Sequence, residues 1–336
     1  MPVAIKKVES SVADAVSSAM DAASYRDFIP GDSNVFLKVN LGWDLFIPGS
    51  VTNPAVFEGV VKKLKGYAKN IYVVESNQVL ENIEKAYRRS KISEIAKQNN
   101  VPWINLSSCK KITLDIPENR IIKKVTVPEI LTRGVIMTLP VMKTHDKTTI
   151  TISLKNQWGC IPKMRHMYHL HLRDAISDVN AALGVKFSVV DGTIAMEGNA
   201  PKTGIPREVG IIGAGGDLVA VDAVFASLMG FNPRDIPHIV EAEKRGLGKI
   251  STTFIGDEID PIPPFKPAGH NLVSRVELFF RHSRLSGLVF KTPLFLVMLA
   301  GAKVYYYFFD FLQGRAIREK FKGHPVYGKY FDVPGF

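Results

Sequence analysis

Between Val135 and Pro201 the chain gathers Lys143, His145, Lys147, Lys155, Lys163, Arg165, His166, His169 and His171 within thirty residues. Cations and imidazoles are costly to bury without partners, and so many beside strand-like segments point to a site for an anionic ligand. Lys143 and His145 follow the apolar run that ends at Leu139-Pro140. That is the end of a strand, where open parallel sheets place their ligands. Imidazole titrates near neutrality, so His145 reads as a general base and Lys143 as an anion clamp. The plainer alternative is a pair of surface residues on a loop.

Residues 149–156, TITISLKN, alternate polar and apolar. Read as a strand, they put Thr149, Thr151, Ser153 and Lys155 on one face. A cavity holding phosphate or carboxylate would give that face partners, whereas a solvated antiparallel strand would need none. The catalytic candidates are His145, Lys155, His169 and Asp191. Lys38, Asn40, Lys143, Asn156, Arg165 and Glu197 are the candidates for holding substrate. Asp191 ends the run VVDG, where a carboxylate meets a ligand, a cation or Lys155, or else forms the turn before Gly192. Glu197 falls in the loop-like MEGNAP.

Other chemistries fit less well. His166, His169 and His171 are metal-ligand types, but no helical spacing puts all three on one face, and no His-Glu-x-x-His pattern occurs. A divalent cation held by Asp191, Glu197 or Asp222 suits the residue types without being required by them. Residues 213–217, GAGGD, lack the third glycine of a dinucleotide fingerprint and read as a turn into a helix capped by Asp217. Cys109 and Cys160 are the only cysteines. They exclude a disulfide framework and an iron–sulfur cluster held by four thiolates of this chain, and they suit a reducing cytoplasm.

The elements that must position these residues alternate. Helical spacing appears at Val12–Tyr25, Pro54–Tyr67 and Glu81–Gln98, interleaved with strand-like runs at Val35–Val39, Ile71–Glu75 and Val101–Leu106. That rhythm predicts a parallel α/β sheet. A hairpin is expected over Ile112–Val127, with Pro117-Glu118-Asn119 in its turn, and further strands at Val135–Leu139, Phe187–Asp191 and Val209–Gly213. Helices are expected at His169–Leu183, Asp217–Met229 and Ile236–Arg245, the last closed by Gly246.

With 336 residues, one large domain with an appendage is the natural expectation. We place the α/β domain at 1–262 and a tail at 263–336, joined through the four prolines of Pro261–Pro267. The formal charge is +11. From Ser274 onward ten Lys/Arg face four Asp/Glu, a net +6 that leaves +5 for the rest. Such a tail favours anionic surfaces. Leu285–Leu312 is apolar and aromatic, but its longest charge-free run, Thr292–Ala302, falls short of the roughly 20 residues a span needs. A helix lying among headgroups over 285–322 is the expectation, with a buried hairpin or pairing with a second copy as alternatives. Nucleic acid ranks last, because the aromatics form one block instead of interleaving with basic residues. The N-terminus shows no apolar core of signal-peptide type, so a cytoplasmic location, peripheral at the inner membrane face, is expected.

The runs LKVNL at 37–41, LPVMKTH at 139–145, SLKNQWGCIP at 153–162, MYH at 167–169, DGTIAMEGNAPKTGIPR at 191–207 and DLVAVDA at 217–223 resemble the domain-of-unknown-function family numbered 362. Relatives that are labelled iron–sulfur proteins carry a fused ferredoxin-like segment with cysteine quartets. This chain lacks that segment, so the resemblance implies no cluster here. A more distant similarity to lactate-racemase-type proteins, which hold a nickel-pincer cofactor through lysine and histidine, would suit Lys143, His145 and Lys155. The leading expectation is an enzyme acting on a phosphorylated, carboxylated or lipid-linked anion. A non-catalytic membrane-docking protein is the rival.

Overall fold

The computed structural model describes residues 2–78, 82–116, 121–161, 165, 168, 170–269 and 294–332, with eight separate positions between 273 and 292. Strands β1 (Val3–Lys7), β2 (Asn34–Val39), β3 (Asn70–Glu75) and β4 (Trp103–Asn105) alternate with helices α1 (Val12–Ala22), α2 (Pro54–Leu64), α3 (Ile83–Arg89) and α4 (Ile92–Gln98). Asn53 caps α2 by accepting the N–H of Ala55, with Pro54 in the first turn, an arrangement in which the missing proline N–H costs nothing. The single helix expected over 81–98 is instead α3 and α4. Lys91 between them takes a positive φ of 60°, which interrupts the helical ladder.

A hairpin of β5 (Lys111–Asp115) and β6 (Lys124–Pro128) stands apart as a two-stranded sheet. Its turn at 117–119 lies outside the described residues. The main sheet resumes with β7 (Val135–Leu139), β8 (Val141–His145) and β9 (Thr149–Thr151), then α5 (Ser153–Asn156) and α6 (Leu172–Leu183). The long strands β10 (Phe187–Asn199) and β11 (Thr203–Gly215) precede α7 (Leu218–Leu228), α8 (Pro237–Lys244) and β12 (Phe254–Gly256). The sheet order is β12-β1-β11-β10-β7-β2-β3-β4, with β8 joined to β10 and to β9. Strands β10, β7, β2, β3 and β4 run parallel, whereas β11 is antiparallel to both β10 and β1.

The chain moves outward from β2 to β3 and β4, then returns to β7 on the other side of β2. That reversal is a topological switch point, and ligands of open α/β sheets bind outside the carboxyl ends of the strands there. Apolar side chains pack on both faces. One cluster joins α1, α2 and the strands, and the other joins α6, α7 and α8. This is the mostly parallel α/β architecture the alternation implies.

Three local expectations need correction. Residues 149–156 are not one strand: β9 ends at Thr151 and a helical turn begins at Ser153. The strand expected to end at Asp191 runs on to Asn199, so Glu197 lies on a strand and not in a loop. The helix expected from His169 begins at Leu172, and His169 lies outside the described residues. The proline-rich segment after Pro261 is no free linker either. Phe265 is buried, its N–H donates to Met229 O at 2.9 Å, and Arg207 stacks on its ring at 4.5 Å.

Beyond it, α9 (Leu294–Phe309) continues through a π-turn at Asp310–Gly314 into α10 (Arg315–Lys322). This continuous helix of 29 residues is long and apolar enough to cross a membrane, judged by length and composition alone. It is anchored along the domain. Tyr306 meets Trp43 edge-on at 5.5 Å, Tyr307 donates to Asp44 at 2.9 Å, and Arg318 donates to Leu45 O and, through both terminal nitrogens, to Asp310. Phe321, Tyr327 and Phe331 belong to the main core.

Candidate functional site

Central strands deliver the first residues. Lys38 stands near the end of β2, between Val74 of β3 and Thr138 of β7, and is 1% exposed. Its ammonium donates to Glu75 Oε2 and to Val39 O, each at 2.8 Å. Lys143 on β8 is equally enclosed and donates to Asn40 Oδ1 and Ser50 O, both at 2.7 Å. Asn156 links the two lysines. Its Nδ2 donates to Lys38 O and Thr138 Oγ1, while its Oδ1 accepts from Asn40 Nδ2 at 3.0 Å.

A tight turn at residues 146–148 folds β9 back on β8, pairing Lys143 with Thr151 and His145 with Thr149. The chain then enters α5, whose first N–H groups, of Ser153 and Leu154, donate to the carboxylate of Asp222. This path brings Lys155 Nζ to 2.9 Å from His145 Nε2. His145 Nδ1 accepts the Lys147 N–H at 3.0 Å and lies 3.2 Å from Asp146 Oδ1. One proton arrangement satisfies all of these contacts: Nδ1 accepts the Lys147 N–H and carries no proton, so His145 Nε2–H donates to a neutral Lys155. A Lys155 ammonium donating to Nε2 instead needs Nδ1–H turned to Asp146, which adds one proton to the pair and gives up the Lys147 contact.

The electrostatics favour a mobile proton. Burial pushes Lys155 down to about 8, helped by the charges of Lys147 and Arg165 and opposed by Asp146. Burial pushes Lys143 down to about 7, with Lys155 and Lys38 adding to the effect and Asp191 and Glu75 opposing it. A desolvated ammonium near like charges loses its proton more easily. Lysines so placed serve as bases and nucleophiles. Arg165 is buried, and its guanidinium donates to the oxygens of Ser76, Ile161, Asn77 and Gln78. All four are neutral acceptors, so the charge stays available to a ligand.

These groups share a cavity of about 570 Å³. Among the described residues six cations line it, namely Lys38, Lys143, Lys147, Lys155, Arg165 and Lys202, against two acids, Glu75 and Asp146. The remaining candidates lie elsewhere. Asp191 is buried behind the cavity wall and accepts from the N–H of Asn53, and from both the N–H and the hydroxyl of Thr193. Burial raises it to about 6 against those hydrogen bonds. Glu197 faces Arg207 at 3.2 Å and the Lys266 N–H, so it ties β10 to the proline-rich segment. Among the described residues, no group of three His, Cys, Asp or Glu side chains converges as a metal site.

Several lining residues escaped the sequence reading. Glu75 carried a signal, being an acid that ends a buried strand in NIYVVE. Trp158 and Lys202 carried none. Nor did the tail, whose Phe295, Met298, Leu299, Ala302 and Tyr305 form the opposite wall.

The family model described as Domain of unknown function (DUF362) matches residues 35–227. This is more than half the chain, and the protein belongs to that family. The matched span contains β3, β7, β8 and α5 and nearly all of β2, and it includes the six lining cations named above. A thylakoid-associated protein of Synechocystis sp. is 35% identical over 127 residues, covering 35% of this chain and 40% of that relative. The match therefore spans well under half of the relative's length.

Proposed function

We propose that this protein is an enzyme that transfers a proton on an anionic substrate held in the cationic cavity, working at the cytoplasmic face of a membrane. The observation that carries the reading is the 2.9 Å contact between His145 Nε2 and Lys155 Nζ, inside a cavity lined, among the described residues, by six cations and two acids. Lys143 and Arg165 hold the anion, Lys38 and Asn156 hold the floor rigid, and Lys155 with His145 moves the proton. The free thiols of Cys109 and Cys160 suit a reducing compartment. The long apolar helix and the thylakoid-associated relative support a place at a membrane.

The test is calorimetric binding of inorganic phosphate to the full chain and to Lys155→Met, alongside thermal melting. Removing a buried, repelled charge should leave the melting midpoint unchanged or raised, while phosphate affinity falls tenfold or more. Equal phosphate binding by both proteins would remove Lys155 from the site and favour a docking protein without catalysis.

A further inference from the structure

The cavity has two kinds of wall. Its cations come from the strand ends, whereas the facing wall is the inner side of α9, with Phe295, Met298, Leu299, Ala302 and Tyr305 at the spacing of one helix face. The other side of the same helix is bare. Leu296, Val297, Val304 and Phe308 are 59–71% exposed, and Phe311 and Leu312 follow at 79% and 58%. A helix whose apolar residues face both a cavity and the outside is ordinary in a lipid interface and costly in water.

We propose that the ligand is an anionic amphiphile taken from the lipid layer, its head against Lys143, Lys155 and Arg165 and its chain along the inner face of α9, while the outer face of α9 lies in that layer. The inference rests on the anion site proposed above and names its substrate class. Size supports it, since about 570 Å³ suits a ligand far larger than a bare phosphate. Gly301 also lines this wall, and a Cβ added there meets nothing within 4 Å. The wall therefore has room at that point.

The experiment measures the affinity of the full chain for inorganic phosphate and for butyl, hexyl and octyl phosphate, each below its micelle concentration. Affinity should rise roughly fourfold with each methylene that is fully buried. Gly301→Leu fills the space beside the helix, so it should flatten that rise and leave inorganic phosphate unchanged. Leu299→Asn repeats the test by removing apolar wall instead of adding bulk. Lys155→Met should weaken the whole series by a common factor. A flat series with phosphate still bound overturns the lipid inference and leaves the anion site standing. A rise that survives both Gly301→Leu and Leu299→Asn also overturns it, because the chain then lies elsewhere. Binding of none of the four, or a series indifferent to Lys155→Met, overturns the anion site and this inference together.

Discussion

Asp222 on α7 holds the first turn of α5 by accepting the N–H of Ser153 at 2.7 Å and of Leu154 at 3.1 Å. A carboxylate 69 residues further along the chain thus sets where Lys155 and Asn156 begin. Burial raises Asp222 to about 7 from an ordinary 3.8, against the pull of those N–H groups.

Asp222→Ala should leave two buried N–H groups unpaired, a loss of about 2 kcal/mol at pH 5. It should also weaken phosphate binding, because α5 loses its seat. The sign of the pH effect follows from the raised value. The folded protein holds the Asp222 proton more tightly, so this contribution is full below about pH 4 and is lost as pH rises through about 7. The stability advantage of wild type over Asp222→Ala should therefore shrink from pH 4 to pH 7.5. Denaturant melts across that range check it, and an advantage that grows with pH would refute the account.

Glu75→Gln should cost about 3–5 kcal/mol, because it strands the Lys38 ammonium in a site 1% exposed with its charge uncompensated. Gly159 tests the same pair by crowding. A Cβ there would stand 2.6 Å from Glu75 Oε1 and 2.9 Å from Lys38 Nζ. Gly159→Ala should destabilise by about 1–3 kcal/mol. Chemical denaturation of both variants reads these losses, and near-neutral values would show that the pair relaxes freely.

The alternation of apolar and helical runs made the parallel sheet legible, and with it the place of Lys38 near the end of β2; β8, the separate strand that carries Lys143 and His145 just past β7, was not read. Lys155 was found for the wrong reason. Perfect alternation from Thr149 to Lys155 implied a strand, but the Asp222 cap, a tertiary contact no local pattern contains, turned its second half into a helix. The β10–β11 hairpin was hidden by its own glycines and prolines, which read as loop. Gly192 is small there because a Cβ would meet Ile211 Cγ1 at 2.7 Å across the hairpin. The tail's place over the cavity rests on Trp43, Asp44 and Leu45, which lie 263 to 273 residues upstream of their partners and signal nothing of it.

Anion binding should weaken with rising pH, since Lys143 at about 7 and Lys155 at about 8 lose their charges in turn. Sulfate is the suitable probe because its own charge is constant from pH 6 to 9. Its affinity should drop across that range, and Lys155→Met should flatten the upper limb. For stability the lowered values act oppositely. The unfolded chain keeps these protons up to about 10.5, so wild type should gain stability, relative to Lys143→Met, as pH rises from 7 toward 10. A pH-independent sulfate affinity would mean that neither lysine meets the anion.

Val304→Asp with Phe308→Asp places charge on the exposed face of α9, where both residues are more than half exposed. The melting midpoint should stay within a few degrees of wild type, while flotation with anionic vesicles is lost. Wild-type flotation should weaken with salt, as headgroup attraction is screened. Truncation after Pro264 is a poor substitute, because it also removes Phe321, Tyr327 and Phe331 from the core. Undiminished flotation of the double variant would place the membrane contact on another surface.

Because α9 is at once a wall of the cavity and the carrier of the bare apolar strip, the two proposals above would be thermodynamically linked through it. Whatever factor a ligand added to vesicle affinity by pressing on the inner wall, vesicles would return to ligand affinity by seating the outer one. On those proposals the helix would make the cavity a reporter of its surroundings, working at a discount in bulk water and binding at full strength only against lipid.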